Sequence, residues 1–387
     1  MIKFSLRRNL IYPLQLLLWT TLREIESSLI GRFFQLGDLI IYTPLMFLGE
    51  ILAGLIFFLY QQKFESKKKA ENTVSFMPIE FIETTQILAK DSDIKILFLI
   101  FTSSFSDFVQ YFIFFQVSKF INISTTLELR LRGTYTIYNA LFYYFYLRLP
   151  ILRHQLFALV IIVICILIIV ISEFIIQPIN IFLSYGQFIL ALFFIFCIQY
   201  ISALEISIEK YLFEYNQMSP FLVLLLEGIF GFVLCVIYCL FHDPFIELTE
   251  FKSKNSILNF TILILALVLY VIFSGGKNLF RVVTTKIYNP MTTTFMGYIL
   301  NPFYIIFYFA RGTDFTTNGK RNWAYFIINL IMSIILTFIG MVFNEFLILF
   351  CCKLNYHTHG QIAMRANKEN ELAIIRQESI SSELEDE

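Results

Sequence analysis

The sequence predicts an all-α polytopic membrane protein with about ten transmembrane helices, arranged as two inverted five-helix repeats. Of the 387 residues, 58% are hydrophobic and only 15% are charged, whereas a soluble domain carries about 25% charged residues. The apolar residues fall into long runs, and the two halves of the chain share a weak internal match. This composition excludes an ordinary soluble enzyme, a disordered protein and a basic nucleic-acid binder.

Nine apolar runs are long enough to cross a bilayer, whose hydrocarbon core requires about 20 apolar residues per helix. The connections between most of them are short, so we expect neighbouring helices in one bundle. The runs are 39–60, 94–116, 124–147, 151–172, 184–204, 219–241, 257–280, 290–310 and 323–350.

Segment 10–30 is a weaker tenth candidate. Its apolar part ends at Leu22 and is followed by Arg23, Glu24 and Glu26. Each such charge costs about 2.5–3.5 kcal/mol at the centre of a spanning helix unless it faces the protein interior. The segment therefore either crosses with these charges turned inward or lies along the interface. We favour crossing, because its counterpart in the second half is a clear span.

The chain divides into a basic N-terminal segment 1–9, a first five-helix repeat 10–172, a second repeat 184–350 and a polar acidic tail 351–387. Loop 61–93, within the first repeat, is rich in lysine, whereas the loop after helix five has no Lys or Arg. Positive loops stay on the cytoplasmic or matrix side. The prediction therefore places loop 61–93 and both termini on that side. Three basic residues fall on the opposite side in this scheme: Arg311, Lys320 and Arg321.

The six cysteines lie within apolar runs or at the end of one, and none has the Cys and His spacing of a zinc site. We expect buried free thiols, with no metal and no cofactor. The cysteines are Cys165, Cys197, Cys235, Cys239, Cys351 and Cys352.

An internal repeat relates the two halves. Glu50 with Gly54 in helix two, and Glu227 with Gly231 in helix seven, each form Glu-x-x-x-Gly near the middle of a span. Residues 21–26 of helix one similarly match 203–209 of helix six. A repeat of five helices reverses its direction across the membrane, so the pair is expected to be inverted. Such pairs hold a substrate site at their interface near the midplane.

At these residues the sequence resembles the drug/metabolite transporter (EamA-like) superfamily, and within it the F-type, nucleotide-sugar-transporter-like branch of the solute carrier 35 proteins. The resemblance runs from about residue 15 to 350. It implies a ten-helix fold that works by alternating access. Its motifs are residues 46–50, Ser106-Asp107, the Leu-Arg-Gly of 131–133, the sixth helix 199–211, the seventh-helix stretch 226–232, and Val283 to Lys286 with the threonines 292–294.

The chain departs from the family pattern where the family carries basic residues in and before helix nine. Phe295 follows the threonines, and Leu300-Asn301-Pro302 occupies the second basic position. Helix one has gained Arg23, Glu24 and Glu26. These departures favour either a different substrate or a relative that no longer transports.

Ionisable residues inside spans are functional candidates, because their burial is costly unless they are paired. Glu50 and Glu227 are candidate coupling-proton sites; alternatively, each bonds a neighbouring helix and serves packing. Arg132 could bind an anionic substrate group or pair with Glu50 or Asp107 as a structural bridge.

Four further positions complete the candidate site. Lys286, with Lys277 and Arg281, could line the mouth of a cavity, although we favour snorkelling to the lipid phosphates for Arg281. The polar side chains Gln199, Asn278 and Asn301 could orient a ligand.

Two glycine-containing stretches could interrupt helices. Gly275-Gly276 either breaks helix eight or allows tight packing. Gly297 with Asn301-Pro302 could kink helix nine, because proline removes a helical hydrogen bond. No catalytic, metal-ligand or phosphate-loop motif is present, so an enzyme is the least expected class.

Two functional expectations remain. The first is a secondary transporter for a small polar metabolite, nucleotide-linked compounds included, in an endomembrane such as lysosome, endosome or Golgi, or in the mitochondrial inner membrane. The second is a non-transporting accessory subunit of a membrane complex that keeps the transporter fold. The expected partners are the bilayer, a metabolite or coupling proton, and other proteins of such a complex, without nucleic acid. A transporter should contain a polar cavity lined by Glu50, Arg132 and Glu227, whereas an accessory subunit should not.

Overall fold

The computed structural model describes residues 2–4, 11–34, 42–71, 91–121, 125–148, 150–176, 185–241, 257–288, 290–311, 316–317, 320–349, 358 and 365. Within these ranges the chain is helical apart from two short two-stranded pairs. The helices are α1 Ile11–Phe34, α2 Tyr42–Glu71, α3 Asp93–Ile121, α4 Thr125–Leu131, α5 Gly133–Phe145, α6 Arg153–Ile176, α7 Tyr185–Glu214, α8 Pro220–Cys239, α9 Ile257–Ile287, α10 Pro290–Tyr298, α11 Asn301–Arg311 and α12 Trp323–Phe343.

Seven helices in the described part of the chain are long and apolar enough to cross a membrane, which confirms an integral, multi-pass membrane protein. Each coincides with one of the nine clear runs in the sequence. Large apolar side chains on these helices stay exposed, as lipid-facing positions require. The crossing segments are Tyr42–Phe64, Asp93–Ile113, Arg153–Ile175, Tyr185–Glu214, Pro220–Cys239, Asn259–Ile287 and Trp323–Phe343.

The other two clear runs do not form single helices. Run 124–147 divides into α4 and α5, with the break at Arg132, and run 290–310 divides into α10 and α11, with the break at Ile299 and Leu300. The second break lies just before Pro302, whose missing N–H and bulky ring disfavour a continuous helix. The fourth and ninth predicted segments are thus both interrupted. Segment 10–30 is one helix, α1, with Arg23 and Glu24 near its middle.

Glycines bring α2 against α8 and α9 without intervening side chains. A Cβ on Gly54 would lie 2.7 Å from the Leu225 nitrogen of α8, and one on Gly228 would lie 2.9 Å from the Ile51 nitrogen of α2. Gly49 and Gly275 oppose each other in the same way across α2 and α9. The expectation that Gly275-Gly276 breaks its helix is wrong: α9 continues through both residues, and their role is close packing.

The predicted loop 61–93 is partly helical, because α2 continues to Glu71 before the described chain stops. The rest of that loop as far as residue 90, most of segment 1–9, most of the tail 351–387, and Cys351 with Cys352 lie outside the described residues. Cys165 and Cys235 are buried free thiols, whereas Cys197 and Cys239 are only partly buried.

Two antiparallel strand pairs interrupt the helical pattern. Strand β1, Ile2–Phe4, pairs with β4, Leu347–Leu349, so that Ile2 lies opposite Leu349. Strands β2, Thr316–Thr317, and β3, Lys320–Arg321, form the second pair. The first pair holds residues 2–4 against the segment that follows α12.

Candidate functional site

A polar cavity of about 480 Å³ lies between the two halves of the chain. Helices α1, α2, α3, α4 and α5 contribute to its wall from the first half, and α7, α9, α10 and α11 contribute from the second. Ionisable side chains, tyrosines and hydroxyl groups dominate the lining. Four acidic residues, Glu24, Asp107, Glu128 and Glu205, and four basic residues, Arg23, Arg132, Lys277 and Arg281, reach it.

Arg23 of α1 turns inward, as the crossing interpretation of segment 10–30 requires. Its Nη2 donates to the hydroxyl of Tyr111 at 3.0 Å and to the hydroxyl of Tyr270 at 3.3 Å. The guanidinium carbon also lies 5.8 Å and 5.6 Å from the two ring centroids. Contacts with the two hydroxyl groups and the two rings therefore stabilise the Arg23 guanidinium, whose burial in apolar surroundings would be unfavourable.

Arg132, at the break between α4 and α5, pairs with Glu128 and not with Glu50 or Asp107 as the sequence suggested. The Arg132 Nε lies 3.2 Å from Glu128 Oε1, and Gln199 of α7 donates to the same oxygen at 3.0 Å. The spacing of four residues places the acid and the base on one face across the break. Gln199 thus lines the cavity and holds the carboxylate of Glu128 in place.

The two broken segments bond each other at their breaks. Arg132 donates to the carbonyl of Gly297 in α10 at 3.0 Å. Asn301, the first residue of α11, donates to the carbonyl of Leu129 in α4 at 2.6 Å. Interrupted helices leave carbonyls without helical partners, and each segment here supplies a donor to the other. Asn301 is buried behind the cavity rather than lining it.

Arg281 of α9 is the centre of a buried carboxylate cluster. It bonds Glu205 of α7 directly; its Nη1 lies 2.9 Å from Glu209 Oε1, and its Nη2 lies 3.9 Å from Glu227 Oε2 of α8. Snorkelling of Arg281 to lipid phosphates is therefore wrong. The acids at 205 and 209 draw the guanidinium inward, because a buried guanidinium requires carboxylate partners.

Glu50 and Glu227 lie behind the cavity wall, which corrects the expectation that they line it. They are 1% and 3% exposed. Glu50 accepts a hydrogen bond from Asn278 of α9, and Glu227 faces Arg281. Because Asn278 and Arg281 themselves line the cavity, each glutamate lies one side chain away from it.

Asp107 of α3 and Lys277 of α9 point into the cavity. Within the described residues, neither side chain has a hydrogen bond or an ion pair at direct contact distance. Their charges act at longer range: Asp107 faces Lys277, Arg281 and Arg23, and Lys277 faces Glu24 and Asp107. Both side chains can therefore approach a ligand without first breaking a direct ion pair.

Lys286 lies outside the cavity, at the end of α9. Its ammonium donates to the carbonyl of Met218 at 3.1 Å, which ties α9 to the loop before α8. The expected role for Lys286 at a cavity mouth is not supported by this position.

Sequence reasoning missed Glu128 and Gln110 as cavity residues, and it did not assign Glu205 or Arg23 to the site. A signal was present for two of them: Glu128 lies four residues before Arg132, and Glu205 lies four residues before Glu209. Gln110 donates to Glu205 at 2.8 Å, but a glutamine between apolar residues gives no such indication. In the described ranges, no group of three His, Cys, Asp or Glu side chains is arranged to hold a metal ion.

No protein-family model matches the chain. A search among curated proteins finds no match either.

Proposed function

We propose that the protein is a secondary transporter that moves a small polar metabolite across an organelle membrane by alternating access. The polar cavity between the two halves carries this proposal. Eight acidic and basic side chains surround an open space of about 480 Å³, and burying each of these charges inside a membrane protein costs free energy. A protein that only packs against partners would gain nothing from this cost. The cavity therefore favours transport over the accessory-subunit alternative.

The proposed architecture is ten spans in two inverted repeats, with α1, the α4–α5 pair and the α10–α11 pair as the additional three. In that scheme the fourth and ninth spans correspond, and both are interrupted. Interrupted helices at corresponding positions of two repeats are typical of transporter binding sites. Packing also supports the scheme: α1 lies against α9 and α3 lies against α7, and exchanging each span with its counterpart converts one pair into the other.

The cavity wall also supports proton coupling. Glu205 lines the cavity and shares Arg281 with the deeper acids Glu209 and Glu227. A proton or ligand reaching Glu205 therefore changes the charge balance of the whole cluster. The resemblance to drug/metabolite transporters agrees with this proposal, as does the absence of enzymatic motifs in the sequence.

Fluorescent tagging of the whole chain distinguishes an endomembrane location from the mitochondrial inner membrane.

Alternating access is testable before any substrate is known. Ser202 of α7 lines the cavity, so we expect Ser202→Cys to react with a membrane-impermeant maleimide added to either side of reconstituted vesicles. The wild-type chain gives the background from its native thiols. Ser274→Cys on α9 is the matched control, because Ser274 is fully buried away from the cavity. Labelling of Ser202→Cys from one side only, or from neither, would refute the transport cycle.

A further inference from the structure

We infer that the substrate is a small organic cation, which the cavity exchanges for protons. This inference rests on the proposed transport function and narrows its substrate class. It starts from the charges in and directly behind the cavity wall. Four acids line the cavity, and three more lie directly behind them. Glu50 accepts a hydrogen bond from Asn278, and Glu209 and Glu227 lie beside Arg281. Seven carboxyl groups thus face four basic side chains within the described residues.

The basic side chains are already occupied by the protein itself. Arg132 is bound by Glu128, and Arg281 is surrounded by three glutamates. Arg23 is held between two tyrosines. These contacts leave Lys277 as the one base without a direct partner among the cavity-lining residues. An anionic ligand would therefore have to compete with carboxylates that are fixed in place.

The surplus of carboxyl groups requires compensation. Several uncompensated negative charges are not tolerated inside a membrane protein, so the surplus is neutralised by bound protons or by a bound cation. A nucleotide-linked metabolite would add negative charge to this region. An organic cation removes the surplus, and Asp107 offers it a carboxylate that faces the cavity and, within the described residues, is in no ion pair at contact distance.

The tyrosines of the wall provide the second, independent observation. The face of a tyrosine ring attracts cations, and this cavity already binds one in that way, because Arg23 lies over the rings of Tyr111 and Tyr270. Three further tyrosines, Tyr42, Tyr135 and Tyr308, also line the space. A volume of about 480 Å³ is in the range of pockets that enclose small organic molecules.

Exchange follows from this charge balance. When a cation binds beside Asp107, the proton that neutralised this carboxyl group is displaced, and when the cation leaves the proton returns. The groups that face Asp107 come from seven helices: Arg23 of α1, Glu50 of α2, Tyr111 of α3, Tyr135 of α5, Glu205 and Glu209 of α7, Cys235 of α8, and Lys277 and Arg281 of α9. Among them, the carboxyl groups and the ammonium of Lys277 hold protons that an incoming cation can displace.

The probe for the test is benzyltrimethylammonium, whose charge does not change with pH. We expect it to raise the melting temperature of the purified full-length protein and to bind about tenfold more tightly for each unit of rising pH, as displacement of one proton requires. Asp107→Asn should weaken this binding at least about tenfold. Asp93→Asn, an exposed acid on the same helix, is the matched control and should leave binding unchanged.

A second measurement does not depend on the variant folding. Adding the probe to wild-type protein in weak buffer should release protons, detected with a pH indicator. The inference is overturned if UMP stabilises the protein and the cation does not, if neither compound stabilises it, or if the cation binds without releasing protons. None of these results would alter the labelling of Ser202→Cys, so a wrong substrate class is distinguishable from a wrong transport mechanism.

Discussion

Asn301 and Leu129 join the two interrupted segments: the side-chain amide of Asn301 donates to the Leu129 carbonyl at 2.6 Å. The bond runs from the first residue of α11 to the body of α4. Together with the bond from Arg132 to Gly297, it holds both breaks against each other. The wall of the cavity therefore depends on a contact between segments that lie about half the chain apart.

Replacing Asn301 with alanine should destabilise the protein by about 0.5–1.5 kcal/mol, because the Leu129 carbonyl loses the side-chain donor and keeps the longer bond from Arg132 N at 3.3 Å. Denaturation of the purified protein, followed by intrinsic fluorescence, measures this change. The control is Asn322→Ala, which removes the side chain that accepts from Tyr325 N at the start of α12 and costs about 1 kcal/mol without touching the breaks. Only Asn301→Ala should also change the labelling of Ser202→Cys; equal labelling in both variants would contradict the proposed role.

The contact between α2 and α8 should be sensitive to a single methyl group. Gly228→Ala places a Cβ 2.9 Å from the Ile51 nitrogen and 3.0 Å from the Glu50 Cβ, so we expect a loss of about 1–3 kcal/mol from overpacking. Gly297→Ala is the matched control, since a Cβ there meets nothing within 4 Å. Thermal unfolding of the two variants compares them directly. Similar melting temperatures would show that the helices separate easily at this contact.

Asp91 should give a pH-dependent contribution to stability. Lys95 donates to this carboxylate at 2.6 Å, and Tyr211 and Asn216 donate from the end of α7. These donors hold the pKa of Asp91 below its ordinary value, chiefly through the Lys95 bond. The stabilisation is therefore present at neutral pH and is lost as the pH falls through the lowered pKa.

The corresponding variant is Asp91→Asn, which should lower the melting temperature of the full-length protein by about 2 °C at pH 7. The difference from the wild type should shrink only as the pH falls below the lowered pKa of Asp91, where the wild-type carboxyl is also neutral. Scanning fluorimetry across this pH range measures it. A difference that stays constant with pH would mean that the charge of Asp91 does not contribute.

The membrane character, seven crossing helices and the polar positions of α7 and α9 could be predicted from the sequence. Hydropathy predicts the crossing helices because a helix that faces lipid needs a long apolar run. Hydropathy does not show the breaks in the fourth and ninth segments. The residues of α4 with α5, and of α10 with α11, form one continuous apolar run each. Pro302 gave a local signal for one break, whereas Arg132 gave none for the other.

The partners of the charged residues could not be predicted. Arg132 was expected near Glu50 or Asp107 and lies on Glu128; Arg281 was expected at the lipid surface and lies among three acids. Which acid meets which base depends on how helices from the two halves rotate against each other. That rotation is determined by glycine contacts such as Gly49 with Gly275, which a residue pattern along one helix does not encode.

The pairing of Ile2–Phe4 with Leu347–Leu349 has a consequence for biosynthesis. Residues 2–4 are synthesised before helices α1 to α12 and residues 347–349 after them, so the strand pair cannot form until all of these helices have been made. Formation of this pair therefore follows synthesis of the helical part. An antibody that recognises the paired strands would detect chains that have passed this point, and a bulky insertion beside Ile2–Phe4 would interfere with the pairing.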